Sequence, residues 1–347
     1  MFYSRPSKLI HRALTVAWLA ICGTGNCFGQ NSDHGLSHPP AIWFSPLTWE
    51  ISKVTGWIDY SPHDFPELLH PDAPWHHAAS HIEVVSLPHN VVWSYPDRSA
   101  VVRFYQDHRF KAAFLFGMLF NDGSCPKGIE GMSQDLDINR ESVVVAKLWK
   151  EAGGKLDYVI MDAPLGYGHF LEPRCQLPIS EVARRVAATL NGIRVYFPDV
   201  RVVDAEGPAR LSNPEWLAMM ASWMGEFRHF TGIPIDAVAL DLHWRDMREG
   251  NSWQATSRES SAFFHERGVR AGLFINDDHS GLEITDTAWM DANRGHISAV
   301  ARGGGLGLDF VLINGWMGHP QNNLPEDDPL AYTSLVDYSY REFHSQE

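Results

Sequence analysis

Short apolar runs alternate with amphipathic stretches along most of the chain, starting near residue 82. The runs are rich in β-branched residues, and the stretches between them have the length and periodicity of helices. This alternation predicts parallel strands joined by crossover helices. The predicted strands are Ile82–Leu87, Ala112–Leu119, Tyr158–Asp162, Arg201–Asp204, Ala237–Leu242, Arg270–Ile275 and Phe310–Ile313. Their helices are predicted to begin near Asp97, Ile138, Ser180, Asn213, Gln254, Thr287 and Ala331.

An eighth strand is needed to close a regular barrel, and Ala41–Phe44 is the upstream candidate. Residues 50–80 hold four prolines, which forbid a long regular helix, so this segment is interpreted as an irregular cover over the first unit. The pattern therefore predicts an α/β fold, a (β/α)8 TIM barrel with an irregular first unit. An open doubly wound sheet stays as the alternative.

The amino terminus has the layout of a secretory signal peptide. Arg5, Lys8 and Arg12 precede an apolar stretch at residues 13–23, and small and polar residues follow through Gln30. The apolar stretch is too short to span a bilayer. We expect residues 1–29 to be removed, leaving residues 30–347 as one barrel domain, secreted or periplasmic and without a membrane anchor.

The charge balance narrows the class of partner. Removing residues 1–29 takes away three basic and no acidic residues, so the formal net charge moves from −14 to −17. Nucleic acids and anionic lipids are bound by clustered cations, so this acidic balance opposes them as partners. The sequence predicts no nucleic-acid partner and favours a neutral or cationic ligand.

Acidic residues lie at the ends of three consecutive predicted strands: Asp162, Glu206 and Asp241. The carboxyl ends of barrel strands and their loops build the active site in this fold. Adjacent strands lie about 4.8 Å apart, so pairs of these acids can reach the carboxyl separations of retaining or of inverting glycosidases. An acid after a strand can also cap the next helix or pair with an arginine, and Asp204 is interpreted in that way.

Glycosidic cleavage needs one carboxyl group that stays protonated and another that stays ionised. Glu206 has the longer side chain and precedes Gly207 and Pro208, so it is predicted as the acid/base. Asp241 or Asp162 is then the nucleophile or the base. No metal or cofactor is predicted for this chemistry.

Aromatic and polar residues beyond the strand ends suit an oligo- or polysaccharide. Trp244 and Trp316 are predicted to stack on sugar rings, because aromatic faces cover the apolar side of a pyranose. A buried core tryptophan is the competing interpretation. The side chains predicted to contact sugar hydroxyls are His89, His243, Asn276 and Asp277.

Two cysteines, Cys125 and Cys175, remain after signal removal. They lie in loops that follow neighbouring predicted strands, on the same face of the barrel. A disulfide between them is predicted to join the rim of the pocket, given an exported chain. Two unpaired thiols are the alternative.

At the level of architecture the chain resembles the secreted (β/α)8-barrel glycoside hydrolases over most of residues 40–345. The segment 204–208, Asp-Ala-Glu-Gly-Pro, is similar to the Asn-Glu-Pro acid/base motif of one large clan, with Ala205 at the Asn position and Gly207 before the proline. Where that clan places a nucleophilic Glu after the seventh strand, the chain has Asn314, Gly315 and Trp316. The resemblance implies hydrolysis of a carbohydrate and names no single family.

Two other functions remain open at this point. A metal-dependent TIM-barrel hydrolase or isomerase would use an oxygen-rich and imidazole-rich ligand set, here His89, Glu206, Asp241, His243, Asp277 and His279. A carbohydrate-binding barrel without catalysis is the second alternative. Loss of activity to a chelator distinguishes the first, and sugar binding without turnover distinguishes the second.

Overall fold

The structure is a computed structural model, in which a limited set of residues is described. These residues are 38–48, 64–120, 125, 132–133, 138–170, 175–208, 211–242, 244, 252–276, 285–315 and 319–345. The predicted signal peptide at residues 1–29 and the segment 49–63 lie outside them.

Eight parallel strands close into a barrel. They are β1 Ala41–Ser45, β2 Ile82–Pro88, β3 Lys111–Phe116, β6 Tyr158–Asp162, β7 Arg201–Glu206, β8 Ala237–Leu240, β9 Arg270–Ile275 and β10 Phe310–Asn314, and two short strands, β4 Leu119–Phe120 and β5 Met132–Ser133, pair separately. Around the barrel the order is β1-β10-β9-β8-β7-β6-β3-β2. The first and last strands close it, with Ala41 beside Phe310 and Ser45 beside Asn314. The predicted (β/α)8 barrel is confirmed, and the open sheet is wrong.

Helices follow the strands and surround the barrel. They are α1 Phe65–Leu68, α2 His76–Ser80, α3 His89–Ser94, α4 Arg98–His108, α5 Ile138–Glu151, α6 Ile179–Arg194, α7 Asn213–Thr231, α8 Trp253–His265, α9 Asp286–Arg302 and α10 Ser334–His344, with a π-helix at Gly166–Phe170 and a 3-10 helix at Gly304–Gly307. Asp97 caps α4 by accepting from the Ala100 N–H at 3.0 Å, as its sequence position predicts. Within the described residues, no helix is both long and apolar enough to cross a membrane.

Alternation along each strand separates the interior of the barrel from the helix layer. One buried cluster fills the interior and includes Trp43 stacked on Phe310 at a 4.0 Å centroid distance. The larger cluster packs the outer strand faces against the helices. On β7, for example, Val203 and Ala205 lie in the interior, whereas Val202 belongs to the outer cluster. Strand position therefore decides which side chains can reach the mouth.

The proline-rich segment before β2 is irregular where it is described, as predicted, and holds only the short helices α1 and α2. A buried network joins it to the end of the chain. The Asp64 carboxylate accepts from the Asn323 side chain at 3.0 Å and from the Leu324 N–H at 2.8 Å. The side-chain oxygen of Asn323 in turn accepts from the Leu47 N–H at 3.0 Å. These bonds tie the first and last units of the barrel together.

Candidate active site

Polar side chains take the interior-facing position at the carboxyl ends of six barrel strands. Asp162 continues the interior series of Tyr158 and Ile160 on β6, and Asp241 directly follows Leu240, which ends β8. The Asp241 N–H still bonds to the Glu206 carbonyl at 2.9 Å, so the strand geometry extends to it. The six mouth residues are Ser45, Ser86, Asp162, Asp241, Asn276 and Asn314. Both acids are half-buried.

A hydrogen-bonded chain holds Asp241 in place. The Asn276 amide donates to Asp241 Oδ1 at 3.0 Å, and its own oxygen accepts from Trp244 Nε1 at 2.9 Å. Trp244 is 1% exposed and stacks on His296 at 3.8 Å between ring centroids, with Trp253 against its edge. The sugar-stacking role predicted for Trp244 is therefore wrong, because neither ring face is open. Asn276, also 1% exposed, orients Asp241 rather than contacting a sugar.

The predicted position of Glu206 at the mouth is contradicted by the structure. Glu206 has the outward parity of Val202 on β7 and is 0% exposed. Its Oε1 accepts from the Leu165 N–H at 2.5 Å, and its Oε2 accepts from the Gly166 N–H at 3.1 Å. These bonds fix the turn after β6 to β7. Side chains alternate between the two faces of a strand. The greater length of the Glu206 side chain therefore does not bring its carboxyl group into the barrel interior.

Asp204 and Glu206 form a buried acidic pair on the helix-facing side of β7. Asp204 is 0% exposed and accepts from Trp223 Nε1 at 2.7 Å, so its predicted role as a helix cap or an arginine partner is wrong. Burial raises the pKa of Asp204 to about 7. Burial, and then the neighbouring Asp204, raises the pKa of Glu206 well above its usual value. Both carboxyl groups therefore lose their protons at a higher pH than exposed carboxyl groups do.

Gly207 allows the ends of β7 and β8 to approach each other closely. A Cβ at this position would lie 1.9 Å from the Asp241 carbonyl oxygen, which is backbone and cannot move aside cheaply. Gly207 also continues the interior series after Ala205, so β7 contributes no large side chain to the mouth. The glycine at position 207, where the chain departs from the clan motif, is therefore required by the close approach of β7 and β8.

Of the remaining predicted site residues, the structure describes His89. His89 follows β2; its Nδ1 lies 3.1 Å from the Leu115 carbonyl oxygen, and its ring stacks on Phe116. That contact fixes the imidazole at the mouth end of the strand. The predicted residues outside the described part of the chain are His243, Asp277, His279 and Trp316.

Closure of the barrel corrects the strand count used in the sequence comparison. Because β1 is the first barrel strand, β9 is the seventh and β10 is the eighth. The residue after the seventh strand is therefore Asn276, not Asn314.

Cys125 and Cys175 form a disulfide, as predicted, with an S–S distance of 2.15 Å and Cα atoms 4.7 Å apart. It joins the loop after β3 to the segment after the π-helix that follows β6. These two strands are neighbours, with Phe114 beside Val159. The bond therefore closes one side of the rim.

The metal-ligand set of the alternative hypothesis is not gathered in the part of the chain that is described. There, one group of three potential metal ligands lies within reach of a single ion, and it consists of His77, His81 and Asp337. None of the predicted ligands belongs to it. Glu206, moreover, has both oxygens occupied by backbone N–H groups.

No protein-family model and no curated protein matches the chain. Solved structures resemble it in fold. The intracellular xylanase TsXylA of Thermoanaerobacterium saccharolyticum, a mutant in complex with xylotetraose, is 11% identical over 81% of this chain and 86% of its own, with TM-score 0.48. The GH53 catalytic domain of Ignisphaera aggregans is 11% identical over 80% of each chain, with TM-score 0.42. A probable tagatose 6 phosphate kinase of Sinorhizobium meliloti is 10% identical over 80% of this chain and 64% of its own, with TM-score 0.45.

The class that the fold defines is the (β/α)8 barrel. Similarity at this level concerns the fold, and the same fold hosts unrelated chemistries.

Proposed function

We propose that the chain is a glycoside hydrolase that acts on an oligo- or polysaccharide, with Asp162 and Asp241 as its two catalytic carboxyl groups. One observation carries the proposal: the two acids face the barrel interior at the carboxyl ends of β6 and β8. The strand between them presents only Ala205 and Gly207 on that side. The gap between the carboxyls is therefore lined by backbone and a methyl group, which leaves room for a sugar or a water.

The spacing of these strands favours an inverting mechanism. Asp162 and Asp241 are two strand intervals apart, about 10 Å between backbones at about 4.8 Å an interval. Side chains that lean toward each other over that distance give carboxyl separations in the range of about 6.5–9.5 Å, where a water fits between base and sugar. Retaining enzymes need the two groups closer, about 5–5.5 Å apart.

One hydrogen bond supports a role for Asp241. Asp241 accepts from the Asn276 amide, which holds one carboxylate oxygen in a fixed direction. We assign it the base, which takes a proton from the attacking water as the water oxygen bonds to the anomeric carbon. Asp162 is then the acid, which donates its proton to the leaving oxygen as the glycosidic bond breaks. Glu206, buried on the other side of β7, is not part of this pair.

The charge balance and the amino-terminal sequence support the substrate class. The formal net charge of −17 on residues 30–347 repels polyanions and is compatible with a neutral glycan. Residues 1–29 have the layout of a signal peptide, and export would bring the enzyme to polysaccharides outside the cytoplasm. A rim disulfide is stable in such a compartment.

The test is to incubate the protein, residues 30–347, with neutral oligosaccharides of different linkage. The release of reducing ends measures hydrolysis. For a substrate that is cleaved, proton NMR of the first product records its anomeric configuration. We expect inversion. Calorimetric binding without turnover would favour a carbohydrate-binding barrel instead, and activity lost to a chelator and restored by metal would favour a metal-dependent enzyme.

A further inference from the structure

A second group of polar side chains lies away from the mouth, beside the amino end of β2. His77 on α2 and His81 at its carboxyl end are four residues apart, so they lie on the same side of a helical turn. Asp337 on α10 faces both. Its Oδ1 is 2.8 Å from His77 Nδ1 and 4.0 Å from His81 Nε2. One potential ligand atom from each residue lies within 4.8 Å of the other two.

The imidazole of His81 has a polar atom that the protein leaves unpaired. Its Nε2 is buried and has no hydrogen-bond partner. The ring is also held in place, since it stacks on Tyr340 with centroids 3.5 Å apart and planes 13° apart. A buried nitrogen without a partner costs free energy unless something binds it. Its nearest charged neighbour is the Asp337 carboxylate, so a cation is the ligand that would satisfy both.

We propose that His77, His81 and Asp337 bind a divalent transition-metal ion, for which Zn²⁺ is the best match. Two imidazoles and a carboxylate suit zinc, whose bonds of about 2.0–2.2 Å place tetrahedral ligand atoms about 3.3 Å from one another. The two measured separations, 2.8 and 4.0 Å, bracket that value. The third pair of ligand atoms, on His77 and His81, lies within 4.8 Å.

Access and support for the ion are also present. Asp337 also lines a surface cleft of about 490 Å³, together with Glu326, Arg294 and Arg341. The Glu326 carboxylate accepts from the N–H groups of His77 and Ala78, at 3.2 and 2.6 Å, and so fixes the first turn of α2. His77 is 64% exposed at its side chain, which leaves the fourth coordination position to water.

The site would join the two ends of the barrel. α2 leads into β2 and α10 follows β10, and β1 pairs with both of these strands. His77 and Asp337 are 260 residues apart in sequence. An ion held by both segments would therefore stabilise the seam where the barrel closes, independently of any chemistry at the mouth.

The experiment uses the untagged chain, stripped of metal with a chelator and then titrated with ZnCl₂ by calorimetry. The variants are His77→Ala, which removes an exposed ligand, and Asp337→Asn, which keeps the shape of the side chain. The matched control is His70→Ala, because His70 is an exposed histidine 3.9 Å from an exposed carboxylate, Asp72. Thermal unfolding with and without zinc gives a second readout, and Co²⁺ substitution gives the visible spectrum of the ligand geometry.

We expect the parent to bind one Zn²⁺ per chain. Either variant should weaken the affinity for zinc at least about tenfold, and the control should leave it unchanged. At a zinc concentration about 100 times Kd, the midpoint of unfolding should rise by about 4 °C in the parent and not in the variants. Equal zinc binding by the parent and by both variants would overturn the proposal. So would an unaltered unfolding midpoint in saturating zinc, because the ion would then not join α2 to α10.

Discussion

Replacing Asp204 with asparagine removes a carboxyl group that the fold buries completely, while keeping an oxygen that can accept from Trp223 Nε1. Burial raises the pKa of Asp204 from 3.8 to about 7 in the folded chain. Between pH 3.8 and about pH 7, Asp204 keeps its proton in the folded state and releases it in the unfolded state. The free energy of unfolding contributed by Asp204 is thus fully present below about pH 4 and is lost as the pH rises to about 7.

The size of the effect follows from the same shift. A difference of about three pKa units, at about 1.4 kcal/mol each, corresponds to about 4 kcal/mol in total, of which about 3 kcal/mol is lost between pH 5 and pH 8. No reduction for solvent screening applies, because the carboxyl is 0% exposed. The Asp204→Asn variant should therefore lose at least about 3 kcal/mol less stability than the parent over that interval, because it also removes the charge that raises the pKa of Glu206.

Urea unfolding of the oxidised protein at pH 5 and at pH 8 measures this difference. Asp199→Asn is the matched control, because Asp199 is an exposed carboxyl just before β7. The control should keep the pH dependence of the parent. If Asp204→Asn loses as much stability as the parent between the two pH values, the buried carboxyl is not held protonated and the reasoning fails.

Three further predictions concern the rim and the mouth. Gly207→Ala should lower the unfolding midpoint, since its Cβ would lie 1.9 Å from a backbone oxygen, whereas Gly225→Ala, with nothing within 4 Å, should leave it equal or higher. Reducing the Cys125–Cys175 disulfide opens a 50-residue loop and should cost about 4 kcal/mol, measured by urea unfolding with and without reductant. Asn276→Ala should lower kcat more than it changes KM on a cleaved glycan, because a positioning hydrogen bond is lost; an unchanged kcat would remove that role.

The barrel could be predicted from sequence because its signal is local and repeated. Each strand is a short apolar run whose ends are marked by polar or proline residues, and the predicted Tyr158–Asp162 and Arg270–Ile275 match the observed strands in full. The predicted Ala112–Leu119 is too long, because Leu119 belongs to a separate short strand. The residues after β3 continue its apolar character, so hydrophobicity alone does not mark where this strand ends.

The site is harder to predict, because it depends on which face of the strand a residue takes. Asp162 and Glu206 both end strands, yet a difference of one residue in register puts them on opposite faces. The alternation of side chains along β7 shows which face Glu206 takes. Val203 and Ala205 face the barrel interior, so Glu206 faces the helices. The orienting role of Asn276 depends on Trp244, 32 residues earlier, and no local pattern carries that contact.

The sequence also holds a signal for the proposed zinc ligands. His77 and His81 have the four-residue spacing of two ligands on one helical turn, within the proline-rich segment interpreted only as a cover. Their partner, Asp337, is 260 residues from His77, so only the closed barrel brings it near.

We assign the proposed chemistry at the mouth to Asp162 and Asp241 and not to Glu206. The most direct test of this assignment compares kcat of Asp162→Asn, Asp241→Asn and Glu206→Gln on one cleaved glycan, with circular dichroism to establish that each variant is folded. We expect each aspartate variant to lose at least about a hundredfold in kcat, whereas Glu206→Gln keeps kcat within about tenfold of the parent. A folded Glu206→Gln protein without turnover, or aspartate variants with near-parental kcat, would contradict the assignment.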